Sequence, residues 1–431
     1  MKKISLISLG CPKNLVDSEN ILALLGEKKY VLTDVSEADL VILNTCAFIK
    51  PAVEETKEYI KKLISEKKKL LVVGCFVQRY KEKLKKYSGI SGFVGVGNPK
   101  KVISAVEDIF NNKRPVIISQ NFTHKKNFPR FILTYPYAYI KISEGCNNFC
   151  SYCLIPFLRG NLRSRKEKDI IDEAISLQKI GIKELILISQ DTTSYGRDLK
   201  DGSTFTSLLK KLTKLQFSWI RILYTYPSHI DHSLIEVIRK NKKICSYLDV
   251  PIQHAHPEIL KKMGRPIMDY EKFFEELRKK IPDIHLRTTF IVGFPGEDES
   301  SFNELLRFLS KYKFDRAGFF KYSREKFTPA YGMLNQIDSK TKNERLKLAY
   351  QLQKRISDNI RKSFIGKKMD VIIEEISEDG YAFGRTERDA PEIDEGVIIK
   401  GNSELLKDKL GEIVKVKMIA SKDYNLIGEI V

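Results

Sequence analysis

Three cysteines stand close together near the middle of the chain, as Cys146, Cys150 and Cys153. They follow the apolar run 138–143, whose length and composition predict a buried strand. A loop this short can aim three thiolates at one point, and thiolates are soft ligands that hold zinc or iron–sulfur clusters. Structural zinc normally takes four protein ligands, and no His or further Cys lies nearby in the sequence to supply the fourth. We therefore predict a four-iron cluster with one open iron, in preference to zinc or to chance spacing of buried cysteines.

Three further cysteines each follow a strand-like run in the first part of the chain. Cys11 comes after 4–9, Cys46 after 39–43 and Cys75 after 70–73, with helical patterns at 14–25 and 53–66 between them. This alternation predicts a parallel sheet, whose strands share one C-terminal edge where ligands bind. We interpret these residues (the N-terminal trio) as a second metal site, in preference to core packing. We expect them to face Cys146, Cys150 and Cys153 (the central trio) across one cavity, and we interpret Cys245 as packing.

The strand and helix patterns predict an α/β chain of three domains. Residues 1–122 should form a parallel α/β sheet domain, and 131–360 contain six strand–helix repeats, which predict a partial (βα) barrel. The polar stretch 121–130 reads as the linker between these two domains, and a charged amphipathic helix over 340–361 leads onward. Residues 363–431 hold five short strands, which predict a small closed β-barrel of the OB type. Barrels of (βα) repeats place their sites at the C-terminal strand ends, where the central trio lies.

The spacing of the central trio, with Tyr152 before its last cysteine, resembles the signature of the radical S-adenosylmethionine (SAM) family. The resemblance implies that the open iron binds the amino and carboxylate groups of SAM. It also implies reductive cleavage of SAM to a 5′-deoxyadenosyl radical, which removes hydrogen from an unactivated carbon. Positions at the strand ends would then contact SAM, although each alone is a weak signal; they are Tyr152, Gln190, Gln253, Gly293 and Glu297. No catalytic residue beyond the cluster ligands is assigned.

Two groups of polar residues near these strand ends leave alternatives open. His254 and His256 could ligate a metal, but a His-Ala-His sequence at a strand end is more often hydrogen-bonded. Arg159, Arg163 and Arg165 follow the central trio. They could solvate the surface, or they could contact an anionic substrate or the SAM carboxylate.

Composition indicates a cytoplasmic protein. Of the 431 residues, 42% are hydrophobic, yet no apolar run approaches the roughly 18 residues of a membrane span. The short apolar stretch after Met1 runs into Gly10 and Cys11 without a cleavage site and predicts a strand, so no signal peptide is expected. In a reducing compartment, the seven cysteines are better explained as metal ligands than as disulfides.

The net charge of +20 is unevenly distributed. Residues 364–431 carry 10 Lys and Arg against 15 Asp and Glu, a net charge of −5, and the remainder carries +25. Similar small barrels usually bind RNA through basic surfaces. Here the segment 385–395 places five acids beside two arginines, which should repel phosphates and attract a basic protein. The alternative is a merely solvated loop.

The stretches around the N-terminal trio resemble the methylthiotransferase family, and the C-terminal strands resemble its TRAM domain. Residues 8–19 and 385–395 are similar to the branch that modifies ribosomal protein uS12, called RimO-type. The resemblance implies two [4Fe-4S] clusters, SAM, and transfer of a methylthio group to the β-carbon of an aspartate in uS12, free or in the small subunit. It implies an electron-donor protein, and we expect a monomer that does not bind membranes.

Two alternatives to this function stay open. The first is a tRNA adenosine methylthiotransferase of the MiaB kind, although that branch usually has Gln-Met-Asn where this chain has Pro12-Lys13-Asn14. The second and more remote alternative is a zinc-stabilised RNA-binding protein without catalysis.

Overall fold

The computed structural model describes residues 1–118, 128–401, 406, 408–422 and 424–431. The predicted linker 121–130 lies outside these ranges up to residue 127. None of the helices in the described ranges has the length and apolar composition needed to cross a membrane.

The N-terminal part is a six-stranded sheet in the order β2-β1-β3-β4-β5-β6, with every neighbouring pair parallel. Its two central strands, β3 and β4, are buried along their whole length, as their unbroken apolar sequences require. The elements in chain order are β1 (Lys3–Ser8), α1 (Pro12–Glu27), β2 (Val31–Leu32), β3 (Leu40–Thr45), α2 (Lys50–Ser65), β4 (Leu70–Gly74), α3 (Cys75–Arg79), a 3-10 helix (Lys81–Lys86), β5 (Gly92–Val94), α4 (Pro99–Phe110) and β6 (Val116–Ile117).

The central part contains six parallel strands in two sheets of three, β7-β10-β11 and β12-β13-β14. A single bridge between Ile220 and Ile244 joins the sheets, so the strands curve into a partial barrel. The strands are β7 (Tyr137–Lys141), β10 (Glu184–Ile188), β11 (Trp219–Ile222), β12 (Tyr247–Asp249), β13 (His285–Val292) and β14 (Arg316–Lys321), and a small hairpin adds β8 (Ser143–Glu144) and β9 (Arg163–Ser164).

Most helices of this part cover the outside of the barrel and bury an apolar core between themselves and the strands, whereas the short first one, 155–159, packs against α3 and the N-terminal core. The helices are α5 (Ile155–Arg159), α6 (Glu167–Lys179), α7 (Phe205–Leu212), α8 (His232–Lys240), α9 (Pro257–Met263), α10 (Tyr270–Lys280), α11 (Glu299–Tyr312) and α12 (Ser339–Lys362), with short 3-10 helices at Thr192–Ser194, Pro227–His229 and Pro329–Gly332. The Asp338 side chain accepts hydrogen bonds from the first backbone N–H groups of α12 and so fixes where that helix begins.

The C-terminal part is a closed five-stranded barrel in the order β15-β16-β17-β19-β18. Its strands are β15 (Lys368–Ile376), β16 (Tyr381–Thr386), β17 (Val397–Lys400), β18 (Ile413–Lys422) and β19 (Asn425–Ile430). The predicted fold class is therefore confirmed: a parallel α/β sheet, a partial (βα) barrel and a small closed β-barrel.

The acidic segment 387–395 between β16 and β17 packs against the central barrel. Arg316 lies 3.1 Å from the Asp389 carboxylate and 3.3 Å from Glu395, and Arg287 pairs with Asp394. The side chains of Asp389 and Asp394 are 8% and 1% exposed. The interpretation of this segment as a solvated loop is wrong, and these two carboxylates are already neutralised within the chain.

A buried charge cluster lies beneath this segment. The Glu184 carboxylate accepts hydrogen bonds from Arg221 of β11, at 2.5 Å, and from Arg385 of β16, at 2.7 Å. All three side chains are at most 1% exposed. Arg221 also donates to the backbone carbonyl of Glu387. One central-domain carboxylate thus joins an arginine of its own domain to one of the C-terminal barrel.

Candidate active site

The N-terminal trio lies at the C-terminal edge of the N-terminal sheet. Cys11 precedes α1, Cys46 directly follows β3, and Cys75 begins α3 directly after β4. Burial, together with the neighbouring Cys75 and Cys11 thiols, raises the pKa of the Cys46 thiol to about 12. Gly10 has φ of +95°, and a Cβ there would lie 2.5 Å from the Cys46 Cβ, so the two loops approach too closely for a side chain. The Cys11 and Cys75 thiols both lie close enough to Cys46 to affect its titration, so the structure brings these three cysteines to one region of the sheet edge.

The central trio lies in the loop between β8 and α5. Burial raises the pKa of the Cys146 thiol to about 11, and burial and the Cys150 thiol raise the pKa of Cys153 well above its ordinary value. The backbone N–H groups of Asn148 and Ile155 donate to the sulfurs of Cys146 and Cys153. Because metals bind thiolates, loading either pocket must release protons.

The donor set of each trio is three thiolates, which are the ligands that iron–sulfur clusters take. Among the residues that the structure describes, no three Cys, His, Asp or Glu side chains converge closely enough to hold one ion. A cluster binds each thiolate through a different iron atom and so tolerates wider spacing of the sulfurs.

Arg159, on α5 after the central trio, reaches the N-terminal trio and is 3% exposed. Its guanidinium donates to the Cys75 sulfur at 3.5 Å, to Asn14 Oδ1 at 2.6 Å and to Glu144 Oε1 at 2.8 Å. Surface solvation is thus the wrong interpretation of Arg159, because the side chain carries a buried positive charge from the central domain to a thiol of the N-terminal domain.

The other two arginines after the central trio have structural contacts. Arg165 lies 2.6 Å from the Glu173 carboxylate, and Arg163 donates to the backbone carbonyls of Asn161 and Arg159. These bonds hold the hairpin of β8 and β9 beside the central trio.

Further ion pairs close the boundary between the first two domains. Lys141 of β7 lies 2.6 Å from Asp17 of α1 and 2.8 Å from Glu144. Arg130, at the end of the predicted linker, pairs with Glu19 of α1 and, at 2.5 Å, with Glu173 of α6. These pairs are largely buried, so they fix the two cysteine-bearing edges relative to each other.

Arg265 contacts the central trio and has no counterpart in the sequence analysis. Its Nη1 lies 3.8 Å from the Cys150 sulfur, and its guanidinium lies 4.1 Å from the centroid of the Tyr226 ring. Since Arg265 stands 115 residues after Cys150, only the folded chain brings them together. Each trio therefore has one buried arginine against one of its sulfurs.

Gln190 and Tyr152 lie beside the central trio. Gln190 Nε2 donates to Glu144 Oε1 at 2.7 Å, whereas its Oε1 is buried and accepts no hydrogen bond from the described residues. That atom is available to a donor such as an amino group. Tyr152 packs near Ile259, Met263 and Phe294, and burial, assisted by the Cys150 thiol, raises the pKa of its hydroxyl well above the usual value.

Gln253 lies four residues after β12 and has φ of +80°, a conformation unusual for a residue with a side chain. Its backbone bonds to Thr289 and Ile291 of β13 on both sides, which holds it there. A backbone strained in this way persists only because the surrounding contacts hold it in place.

Gly293 and Glu297 form a tight turn after β13. The Gly293 N–H donates to both carboxylate oxygens of Glu297, at 2.9 and 3.0 Å, and Arg345 donates to Glu297 Oε1 at 2.7 Å. Gly293 has φ of +71°, and a Cβ there would lie 2.3 Å from Cγ of Lys342. Glu297 is 1% exposed, and its contacts with the described residues hold this turn in place.

The two histidines are hydrogen-bonded, as the sequence analysis favours. His254 is fully buried, and its Nδ1 accepts from the backbone N–H of His256. The His256 ring in turn accepts from the N–H of Glu258 and caps α9.

Three family models match the chain in succession. Residues 3–95 match the model described as Uncharacterized protein family UPF0004, 140–309 match the Radical SAM superfamily, and 365–431 match the TRAM domain. The first contains the N-terminal trio and the second contains the central trio.

Among solved structures, the chain is similar to the radical S-adenosylmethionine methyltransferase TsrM from Kitasatospora setae. The TM-score is 0.56 at 13% identity, covering 88% of this chain and 79% of that one. At this identity the similarity shows the fold alone.

Curated relatives match over essentially the whole length. Proteins named ribosomal protein uS12 methylthiotransferase RimO are 43% identical in Acetivibrio thermocellus, covering 100% of this chain and 98% of the relative, and 44% identical in Clostridioides difficile, covering 100% and 99%. The relative of that name in Carboxydothermus hydrogenoformans is also 44% identical, over 100% and 99% of the two chains. With both cysteine trios in place and this similarity along its full length, the chain belongs to the RimO family of methylthiotransferases.

Proposed function

We propose that this chain is a radical SAM methylthiotransferase that attaches a methylthio group to the β-carbon of an aspartate in ribosomal protein uS12, with [4Fe-4S] clusters and SAM as cofactors. The observation that carries the proposal is the pair of cysteine trios, each with a buried arginine against one of its sulfurs. The name shared by the full-length relatives supports uS12 as the substrate.

The assignment of individual residues follows from the two pockets. Cys146, Cys150 and Cys153 would hold the cluster that faces SAM, and Cys11, Cys46 and Cys75 would hold the auxiliary cluster. The buried Oε1 of Gln190, which accepts no hydrogen bond from the described part of the chain, supports its contact with the SAM amino group. The other proposed SAM contacts are Tyr152, Gln253, Gly293 and Glu297.

When bound, the two clusters and SAM supply the electron, the hydrogen-abstracting radical, the methyl group and the transferred sulfur. The chain itself supplies positive charge near the thiols and excludes water from the site. Arg159 and Arg265 each place a guanidinium against one thiol pocket, which offsets the negative charge of the thiolates. Glu144 holds Arg159, Lys141 and Gln190 in fixed positions. Burial of these groups keeps water away from a reaction that water would divert.

We propose three domains, at 1–122, 131–360 and 363–431, with uS12 approaching the C-terminal barrel. The acids of 387–395 are largely engaged within the chain, so a different acidic surface is needed. Glu375, Glu378 and Asp379, at the β15–β16 hairpin, are exposed and offer one to a basic protein. An electron-donor protein, a monomeric state and a cytoplasmic location complete the proposal.

Mass spectrometry of a deletion strain tests the substrate. We expect uS12 without its methylthio group and tRNA with normal modification. Normal uS12 together with tRNA that lacks a methylthio group would reject the proposal in favour of the MiaB-type activity.

Metal analysis of the anaerobically purified protein tests the chemistry. About eight iron and eight sulfide per chain are expected from two four-iron clusters. Zinc without iron or sulfide would instead support a non-catalytic RNA-binding protein.

A further inference from the structure

Lys13 reaches out of the N-terminal domain into the central barrel. It lies in the first turn of α1, two residues after Cys11, but its Nζ donates to the backbone carbonyl of Ser189, just after β10, at 3.2 Å. The same amine lies 3.5 Å from the centroid of the Tyr224 ring, just after β11. The ammonium group therefore lies at the C-terminal edge of the barrel strands, where (βα) barrels bind their substrates.

The backbone at Tyr224 is unusual and helps to form this site. Tyr224 has φ of +59°, which is rare for an aromatic residue, and its N–H donates to the Asp249 carboxylate at 3.0 Å. The fold thus holds Tyr224 in a strained conformation with its ring against the Lys13 amine. Strain of this kind concentrates at binding sites.

Lys13 differs from the other buried cations of the same boundary. Arg130, Lys141 and Arg159 each lie within 4 Å of at least one carboxylate. Lys13 is 8% exposed, and no carboxylate in the described residues lies within 4 Å of its Nζ. The Cys11 thiol is the neighbour that most favours the charged amine, and Glu144 and Asp249 act more weakly. One carbonyl and one aromatic face replace only part of the hydration that a buried ammonium loses, so its remaining N–H donors can still serve an anion.

We propose that Lys13 binds the side-chain carboxylate of the substrate aspartate and selects that residue. This assignment rests on the proposed function. The β-carbon of aspartate is bonded directly to its carboxylate carbon. A carboxylate held by Lys13 would therefore keep the β-carbon at the C-terminal edge of the barrel strands, where the N-terminal domain that carries Cys11 meets them. Asparagine has the same shape but no charge to satisfy the amine.

The test compares variants of the full-length, cluster-loaded enzyme on purified uS12. Lys13→Met keeps the length and apolar stem but removes the charge, and Lys13→Arg keeps the charge. Lys2→Met is the matched control, because Lys2 is an exposed lysine of the same domain, 5.3 Å from the Phe110 ring. Methylthiolation is measured by mass spectrometry, and iron content reports whether each variant folds and loads.

We expect Lys13→Met to raise KM for uS12 at least tenfold, the loss that follows from removing one charge-assisted hydrogen bond. Lys13→Arg should recover part of this loss, and Lys2→Met should match the unmodified chain. With uS12 carrying Asn in place of the modified Asp, the preference for Asp should fall at least tenfold in Lys13→Met.

Two results would overturn the assignment while leaving the proposed function standing. One is an unchanged KM for uS12 in Lys13→Met. The other is a tenfold loss of SAM affinity with unchanged KM for uS12, which would assign the amine to the SAM carboxylate. If the unmodified enzyme fails to modify uS12 at all, the proposed function falls, and the assignment falls with it.

Discussion

Replacing Glu184 by glutamine should loosen the C-terminal barrel from the central domain. The Glu184 carboxylate is the shared anion between Arg221 and Arg385, and all three side chains are essentially inaccessible to water. Glutamine keeps the shape but removes the charge, and its amide N–H group faces another donor. Two buried guanidinium groups then lose their common partner.

The magnitude follows from what each arginine keeps. Removing one member of a buried ion pair costs about 3–5 kcal/mol. Arg385 retains the Glu374 carboxylate and the Asp389 carbonyl, and Arg221 retains the Glu387 carbonyl and the Tyr247 ring at 4.9 Å. These remaining contacts place the expected loss near the lower end, at about 3 kcal/mol.

Hydrogen exchange is the suitable assay, because a chain of three domains does not unfold in one two-state step. A loss of about 3 kcal/mol should speed exchange of the β15–β19 amides by about 100-fold. Asp370→Asn is the matched control, since the Lys415–Asp370 pair spans 2.8 Å with side chains 64% and 54% exposed. We expect that control to change stability by about 1 kcal/mol at most. Equal exchange in the two variants would refute the argument.

Three further predictions follow from the site and its surroundings. Cys150→Ala should abolish 5′-deoxyadenosine formation, while about four iron atoms per chain remain on the N-terminal trio. Cys245→Ala, which also replaces a buried cysteine, is the control. If Cys150→Ala still formed 5′-deoxyadenosine, the assigned role of Cys150 would be wrong. Arg159→Met should speed the chelator-induced loss of iron from the N-terminal trio at least tenfold, because a charged hydrogen bond to Cys75 disappears, and an unchanged rate of loss would show that the contact is incidental. Burial raises the pKa of the Glu184 carboxyl, but Arg221 and Arg385 lower it by more and hold it below the usual 4.5. The stabilisation that the charged carboxylate gives is therefore complete above pH 4.5 and is lost as the pH falls through the pKa of the folded state. Over this acidic range the melting temperature should fall more steeply in the unmodified chain than in Glu184→Gln, and parallel curves for the two proteins would contradict the prediction.

Local sequence patterns predict most of the fold. The sequence predicts strands at 39–43 and 70–73 and a helix at 340–361, and the structure has β3, β4 and α12 there to within two residues. These elements are predictable because hydrophobic periodicity and turn residues act over a few positions. The two cysteine trios are also visible in the sequence, since Cys11, Cys46 and Cys75 each follow an apolar run and Cys146, Cys150 and Cys153 share one short loop.

What the sequence does not reveal is long-range pairing. Lys13 and Ser189 are 176 residues apart, and Arg159 and Asn14 are 145 apart. The acidic segment misleads for the same reason, because its partners Arg287 and Arg316 lie on strands of another domain. Composition reveals that charges exist, but only the folded chain decides which of them meet.

The contact between Arg159 and Cys75 has a consequence for how the two halves of the catalytic centre depend on each other. The cation that steadies the sulfur ligands of one half is donated by the other. An isolated N-terminal fragment would keep its three thiols but lose that counterion, so its affinity for iron should not match that of the intact enzyme. The auxiliary centre is thus a joint product of two domains and not a transferable module.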